Sequence, residues 1–144
     1  MNKKCHTEID RENILVKDGV YNNTMGDYNK EIASVDEIIE KNGRMTSWSH
    51  TLVNTESNSA TLIAQIPGEG NRLHYHPNWN EWWYIIEGEW EWEIEGEKKT
   101  IIKGDVVFMK KRRQHKITAK GSKIAIRLAV SRADVEHIYP EEPS

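Results

Sequence analysis

Between Gly88 and Gly96 the chain reads Glu-Trp-Glu-Trp-Glu-Ile-Glu, an unbroken alternation of charged and apolar residues. Only an extended strand gives Trp90, Trp92 and Ile94 one shared face and the glutamates the other; a helix would turn Trp92 away from Trp90. The same period recurs in Trp48, His50 and Leu52, in Ala60, Leu62, Ala64 and Ile66, and in Ile124, Ile126, Leu128 and Val130. Glycine turns at Gly88, Gly96 and Gly104-Asp105 split these runs, and Val106 to Met109 resumes as strand. Short strands at intervals of roughly 8 to 12 residues predict an all-β sandwich or barrel.

One segment carries chemistry as well as pattern. From Gly68 to Gly88 it places His74 and His76 on one strand face, with Arg72 beside them. Pro77 and Asn78 break that strand, so the chain can turn and bring Glu81 back toward both imidazoles. Two imidazoles and a carboxylate meeting at one point suit a divalent transition metal. A third histidine, His115, lies in a later strand-turn-strand segment. Each histidine alone reads as an ordinary hydrogen-bonded or surface residue. The glycines at both ends, the carboxylate past a turn and the distant histidine together point to a metal site.

Around this centre the chain divides into three parts. Residues 1–45 read as a polar N-terminal extension; within it Ser34-Val35-Asp36-Glu37 has the form of a capping box, and Asn42-Gly43 a stop, predicting a short helix over about 35–42. Residues 46–131 hold the strands, and residues 132–144 form a C-terminal tail that packs across the barrel or onto a partner. At 144 residues this is one domain's worth of chain. No apolar run has the length of a membrane span, so no membrane partner is expected. Cys5, the single cysteine, cannot form an internal disulfide, and the first residues lack the apolar region of a secretory signal; both fit a cytoplasmic protein. A net charge of -3 exerts no general pull on nucleic acid. The local exception is Lys110, Lys111, Arg112, Arg113 and Lys116, which reads as a solvated loop or as a lure for an anionic substrate. Trp82-Trp83-Tyr84-Ile85-Ile86 is apolar on both faces, which predicts cover on both sides, either by the second sheet and the N-terminal segment or by a second subunit; a homodimer is the simpler expectation.

These spacings resemble the cupin superfamily. Gly68, His74, His76, Glu81 and Gly88 fit the first cupin motif at every position. In the second, Gly104 and His115 match, while Lys110, Arg112 and Ala119 stand where proline, glycine and asparagine are usual. The surrounding strands are similar to a single-domain cupin over residues 46–131. The resemblance implies a small antiparallel jelly-roll barrel holding one metal ion through His74, His76, Glu81 and His115. Cupins include oxygenases, decarboxylases, isomerases, lyases and non-catalytic proteins, so the fold does not name a reaction.

Four protein ligands would leave about two open positions on an octahedral ion. Nitrogen and oxygen donors without sulfur suit iron(II), and also manganese, nickel, cobalt or zinc; iron(II) is favoured with an oxygenase reading. Arg72 is the candidate anchor for a substrate carboxylate or phosphate. Trp83, Trp90 and Trp92 are candidate pocket walls, with core packing as the alternative. No proton shuttle stands out: Tyr75 and Tyr84 alternate away from the metal, and His50 reads as structural. The expectation is therefore a metalloenzyme of the iron-dependent oxygenase type acting on a small anionic organic molecule. The alternatives are a non-redox isomerase or lyase of a sugar or hydroxy acid, and a non-catalytic ligand-binding cupin.

Overall fold

The alternating runs form strands in the computed structural model, which describes residues 5–24, 27–132 and 134–143. Residues 1–4, the start of the segment that lacks a secretory apolar region, lie outside the described residues. In chain order the elements are β1 (Cys5–Glu8), α1 (Arg11–Lys17), β2 (Asn22–Thr24), α2 (Val35–Asn42), β3 (Trp48–Asn54), β4 (Ser59–Gln65) and β5 (Gly70–His74). They continue with β6 (Glu81–Glu87), β7 (Glu89–Ile94), β8 (Glu97–Ile102), β9 (Val106–Met109), β10 (His115–Lys120), β11 (Ala125–Ser131) and β12 (His137–Pro143).

Two sheets make the jelly roll: one ordered β2-β3-β4-β11-β6-β9, the other β5-β10-β7-β8. Their pairings are antiparallel apart from β2 with β3. The core between them joins Trp83 and Ile85 of β6, Val107 and Met109 of β9, Trp90 and Trp92 of β7, and Ile117 and Ala119 of β10. The alternation in Glu89–Glu95 thus delivers both indoles to the interior, where they are fully buried.

The other face of the six-stranded sheet is covered by α2. Ser34 caps that helix by accepting the Glu37 N–H at 3.2 Å, and Gly43 ends it at φ 80°. Its buried Ile39 packs with Trp48, Leu62, Ala64 and Ile126. Alternation with Trp48 keeps His50 on this side, away from the sheet-to-sheet interior.

The N-terminal extension does more than the sequence reading allowed. It contains a second helix, α1, capped by Asp10 accepting the Glu12 N–H at 3.0 Å. Leu15 and Val20 pack on Ile63 of β4, on the inner face of the sheet. A seven-residue helix has too few turns for an apolar period to stand out, which is why it was missed. The tail packs in cis: β12 pairs antiparallel with β1, and Tyr75 and Ile138 exchange two backbone hydrogen bonds of 3.0 Å just past β5. Among the described residues no helix is long and apolar enough to cross a membrane.

Candidate metal centre

His74 ends β5, Glu81 begins β6 and His115 begins β10, while His76 sits in the turn that joins β5 to β6. β10 pairs with β5 so that His115 stands opposite His74. This register requires Gly70 on β5, since a Cβ there would lie 1.7 Å from the Ile117 carbonyl oxygen. Glu81 returns as expected, its carboxylate 2.8 Å from His76 Nε2. One donor atom from each of His74, His76, Glu81 and His115 lies within 4.8 Å of all the others, and all four residues are buried.

The three imidazoles are oriented alike. Nδ1–H of His74 donates to the Arg72 carbonyl at 2.7 Å, that of His76 to the Glu136 carbonyl at 3.0 Å, and that of His115 to the Arg113 carbonyl at 3.1 Å. Each bond fixes the tautomer and turns Nε2 inward, the usual support of a metal-ligating histidine. Nε2 of His74 and of His115 is buried without a hydrogen-bond partner. A buried nitrogen left bare is costly, and a metal ion is what would satisfy both. The donor set therefore fits a divalent ion.

Electrostatics agree. Burial, reinforced by neighbouring imidazoles, lowers His74 well below the usual histidine value and His115 to about 4. Both are neutral near pH 7 and offer lone pairs. Burial would also lower His76, but the Glu81 carboxylate outweighs it and raises this histidine. For Glu81, burial pushes upward and His76 wins, bringing the carboxyl down to about 2. With both ring nitrogens donating, His76 carries a proton that a metal ion would displace.

Beside the cluster lies a cavity of about 60 Å³, touched by Glu81 and Trp83 from β6, Ser59, Thr61 and Ile63 from β4, and Arg11, Ile14 and Leu15 from α1. Its volume suits a compact ligand of a few heavy atoms. Trp83 lines it, but Trp90 and Trp92 do not; they are core residues, packed edge-on to one another at 6.1 Å between ring centroids. Alternation does turn these indoles inward, and inward in a two-sheet fold leads mostly to packing. Arg72 also differs from the sequence reading. Its Nε donates to Asp18 at 2.6 Å and its Nη2 to the Tyr139 hydroxyl at 3.2 Å, so an internal ion pair holds the guanidinium offered to substrate. The basic side chains of Lys110, Lys111, Arg112, Arg113 and Lys116 are exposed and none lines the cavity. Arg112 sits at φ 74°, holding the left-handed turn where the family pattern has glycine.

Three functional candidates were missed. His137 of β12 stacks on His74 at 4.8 Å, meets His76 edge-on at 4.4 Å, and lines the cavity. Its Nδ1–H donates to the Val135 carbonyl at 2.9 Å, the same support the other three histidines have. His-Ile-Tyr at 137–139 was readable as strand alternation, but nothing local tied it to the metal. Arg127 is fully buried, donating to Gln65 at 2.5 Å and Asn71 at 2.8 Å with its guanidinium 4.5 Å from the Trp90 ring. Arg11 is the third.

The four candidate ligands lie within a segment that matches a known family. The cupin domain family matches the chain over residues 61–131. No curated protein matches it significantly. Solved structures of similar fold include an uncharacterized conserved protein with a double-stranded β-helix domain from Klebsiella pneumoniae, at 22% identity over 74% of this chain and 87% of that one, TM-score 0.62. Another is the polyketide cyclase RemF from Streptomyces resistomycificus, at 16% identity over 71% and 75%, TM-score 0.60. A predicted oxalate decarboxylase from Thermotoga maritima aligns at 23% identity over 62% and 90%, TM-score 0.55. At these identities the likeness is one of fold.

Proposed function

This chain is a cupin, and on that premise we propose that it is a mononuclear metalloenzyme acting on a small anionic organic molecule, of the iron-dependent oxygenase type. The observation that carries this reading is the pair of bare, buried Nε2 atoms of His74 and His115, facing the same point as His76 and Glu81. When bound, a divalent ion would supply an electrophilic centre with about two open positions, and iron(II) would add reactivity toward dioxygen.

The chain's own residues do the remainder. The carbonyls of Arg72, Arg113 and Glu136 orient the imidazoles. Trp83 walls the cavity, with Trp92 packed against it at 5.5 Å, so that water is excluded behind the site. A separate observation favours the non-redox isomerase or lyase reading: His137, with Nδ1–H committed to a carbonyl and its ring held neutral by burial, leaves Nε2 as a hydrogen-bond acceptor for substrate on the cavity wall.

Metal analysis of the natively purified protein, followed by oxygen uptake with small carboxylic acids, tests the assignment. About one iron per chain and acid-dependent oxygen uptake support the oxygenase. Zinc, nickel or manganese without uptake, but with exchange of substrate C–H for solvent deuterium, transfers the role to an isomerase or lyase. Full metal content in both His76→Ala and His115→Ala would overturn the ligand set. No metal at all in the wild type leaves the ligand-binding cupin.

We also infer a homodimer. Trp82 and Tyr84 on β6 are about 40% exposed (41% and 42%) and stand beside Phe108 and Val106 of the edge strand β9, exposed by 60% and 62%. An apolar edge of this kind is suited to a second copy of itself about a two-fold axis.

A further inference from the structure

We propose that Arg11, at the start of α1, is the anion anchor of the cavity, and that the site selects a compact carboxylate. The inference rests on the small anionic substrate proposed above and replaces Arg72 as its anchor.

Arg11 lies across the inner face of β4. Its Nη1 donates to Thr61 Oγ1 at 2.8 Å and its Nη2 to Ser59 Oγ. Both acceptors are neutral hydroxyls, so the hydrogen bonds hold the guanidinium in place without matching its charge. Among the described residues no carboxylate stands within ion-pair distance of it. Of the five N–H donors of a guanidinium, two are used, which leaves three. The other arginine on the cavity, Arg132, is taken by Asp134 through two contacts of 2.6 and 3.1 Å.

Charge on the walls points the same way. With the mutually neutralised Arg132–Asp134 pair set aside, Arg11 in the wall and Arg72 and Arg127 behind it stand against Asp18 and Glu81, three positive groups to two negative. Asp18 is bound by Arg72, and Glu81 belongs to the metal cluster. A divalent ion would widen the excess. The side chain of Asn71 adds specificity: its Oδ1 accepts from Arg127, so its amide N–H groups are what remains for a ligand. A half-buried cation and amide donors around about 60 Å³ make a socket for a small carboxylate, with Glu81 and His137 on the same cavity. Planar guanidinium forks recognise carboxylates better than any other side chain does.

The alternative role for Arg11 is a staple that fastens α1 to β4, and the variants separate the two. Glycolate and its uncharged counterpart glycolamide are titrated calorimetrically into the protein as purified and after metal stripping, with metal content measured throughout. The wild type is expected to prefer glycolate at least tenfold. Arg11→Met should lose at least tenfold in glycolate affinity with glycolamide and metal content unchanged. Arg11→Lys, which keeps the charge but not the fork, should lose a few-fold. The Ser59→Ala, Thr61→Val double variant removes the staple and should keep most of the glycolate affinity. No glycolate preference in the wild type, unchanged glycolate affinity in Arg11→Met, or an equal loss in the double variant would overturn the anchor. Failure of the metal reading looks different: the protein then binds no metal, while Arg11-dependent glycolate binding survives in the stripped protein.

Discussion

Acid should unfold the metal-stripped protein partly through His115. Burial, with the charge on His76 adding to it, lowers this imidazole from 6.5 to about 4 in the folded protein. In the unfolded chain it returns to its ordinary value and binds a proton near pH 6.5. Between those values the unfolded state holds more protons than the folded one, so stability falls as pH falls. At pH 5.0 the unfolded chain has almost fully protonated this residue and the folded chain has not, and the linkage integral comes to about 2 kcal/mol. Below pH 4 it approaches its full value of about 3 kcal/mol. Among its neighbours, His74 and His137 are lowered and act with the same sign, whereas His76 is raised and acts against it. Glu81, lowered to about 2, acts with the same sign but mainly below pH 5.

Comparing the wild type with His115→Gln isolates the contribution. Glutamine keeps a polar group of similar reach without a titrating proton. Urea unfolding followed by tryptophan fluorescence, at steps from pH 7.5 to 5.0, gives stability against pH for both proteins. The wild type should lose about 2 kcal/mol more than the variant across that range. Parallel curves would refute the reasoning, because they would mean that His115 is protonated as easily in the folded protein as outside it.

The other expectations are independent of that titration. Phe108→Asp should convert a dimer to a monomer without loss of fold, measured by sedimentation; a wild type already monomeric at tens of micromolar contradicts the interface. Gly70→Ala should force β5 away from β10, because its Cβ would overlap the Ile117 carbonyl; a loss of more than about 3 kcal/mol in stability, with weaker metal binding, is expected in denaturation and metal titration. Arg112→Gly should relieve the left-handed backbone at φ 74° and stabilise the fold by about 1 kcal/mol. An unchanged or lower melting temperature in that variant would argue that the Arg112 side chain contributes more than its backbone costs.

The parts of this protein that are local in sequence were legible there. Alternation at Glu89–Glu95 fixed a strand and its buried face, the serine cap fixed α2, and the spacing of His74, His76 and Glu81 fixed a cluster that the fold does assemble. What escaped is long-range. Glu136 supports His76 from 60 residues away, and Arg11 reaches Ser59 and Thr61 across 48 and 50. No pattern within a window of chain can announce such partners, because they depend on which strands pair. Arg127 shows the same limit from another side. Alternation set it opposite Ile126 and Leu128, where a charged residue normally meets water. Here that face is the interior, and the guanidinium survives by binding Gln65 and Asn71 and covering Trp90.

The segment matched by the cupin family contains all four candidate ligands, but it does not contain everything that holds them still. His76 takes its Nδ1 acceptor from Glu136, in the tail that leads into β12. His74 takes its acceptor from the Arg72 carbonyl, and Arg72 is itself gripped through side chain and backbone by Asp18, the residue that ends α1. Burial raises the Asp18 carboxyl even with Arg72 beside it, so this is a dry ion pair that depends on the helix staying seated. The extension and the tail therefore act on the site from both ends of the chain, and they meet each other in the β1–β12 pair. An imidazole free to rotate is a weaker ligand than one locked by a carbonyl. Two of the three histidines are locked by contacts that leave the family segment or depend on residues outside it, so the segment alone would carry the ligands without their orientation.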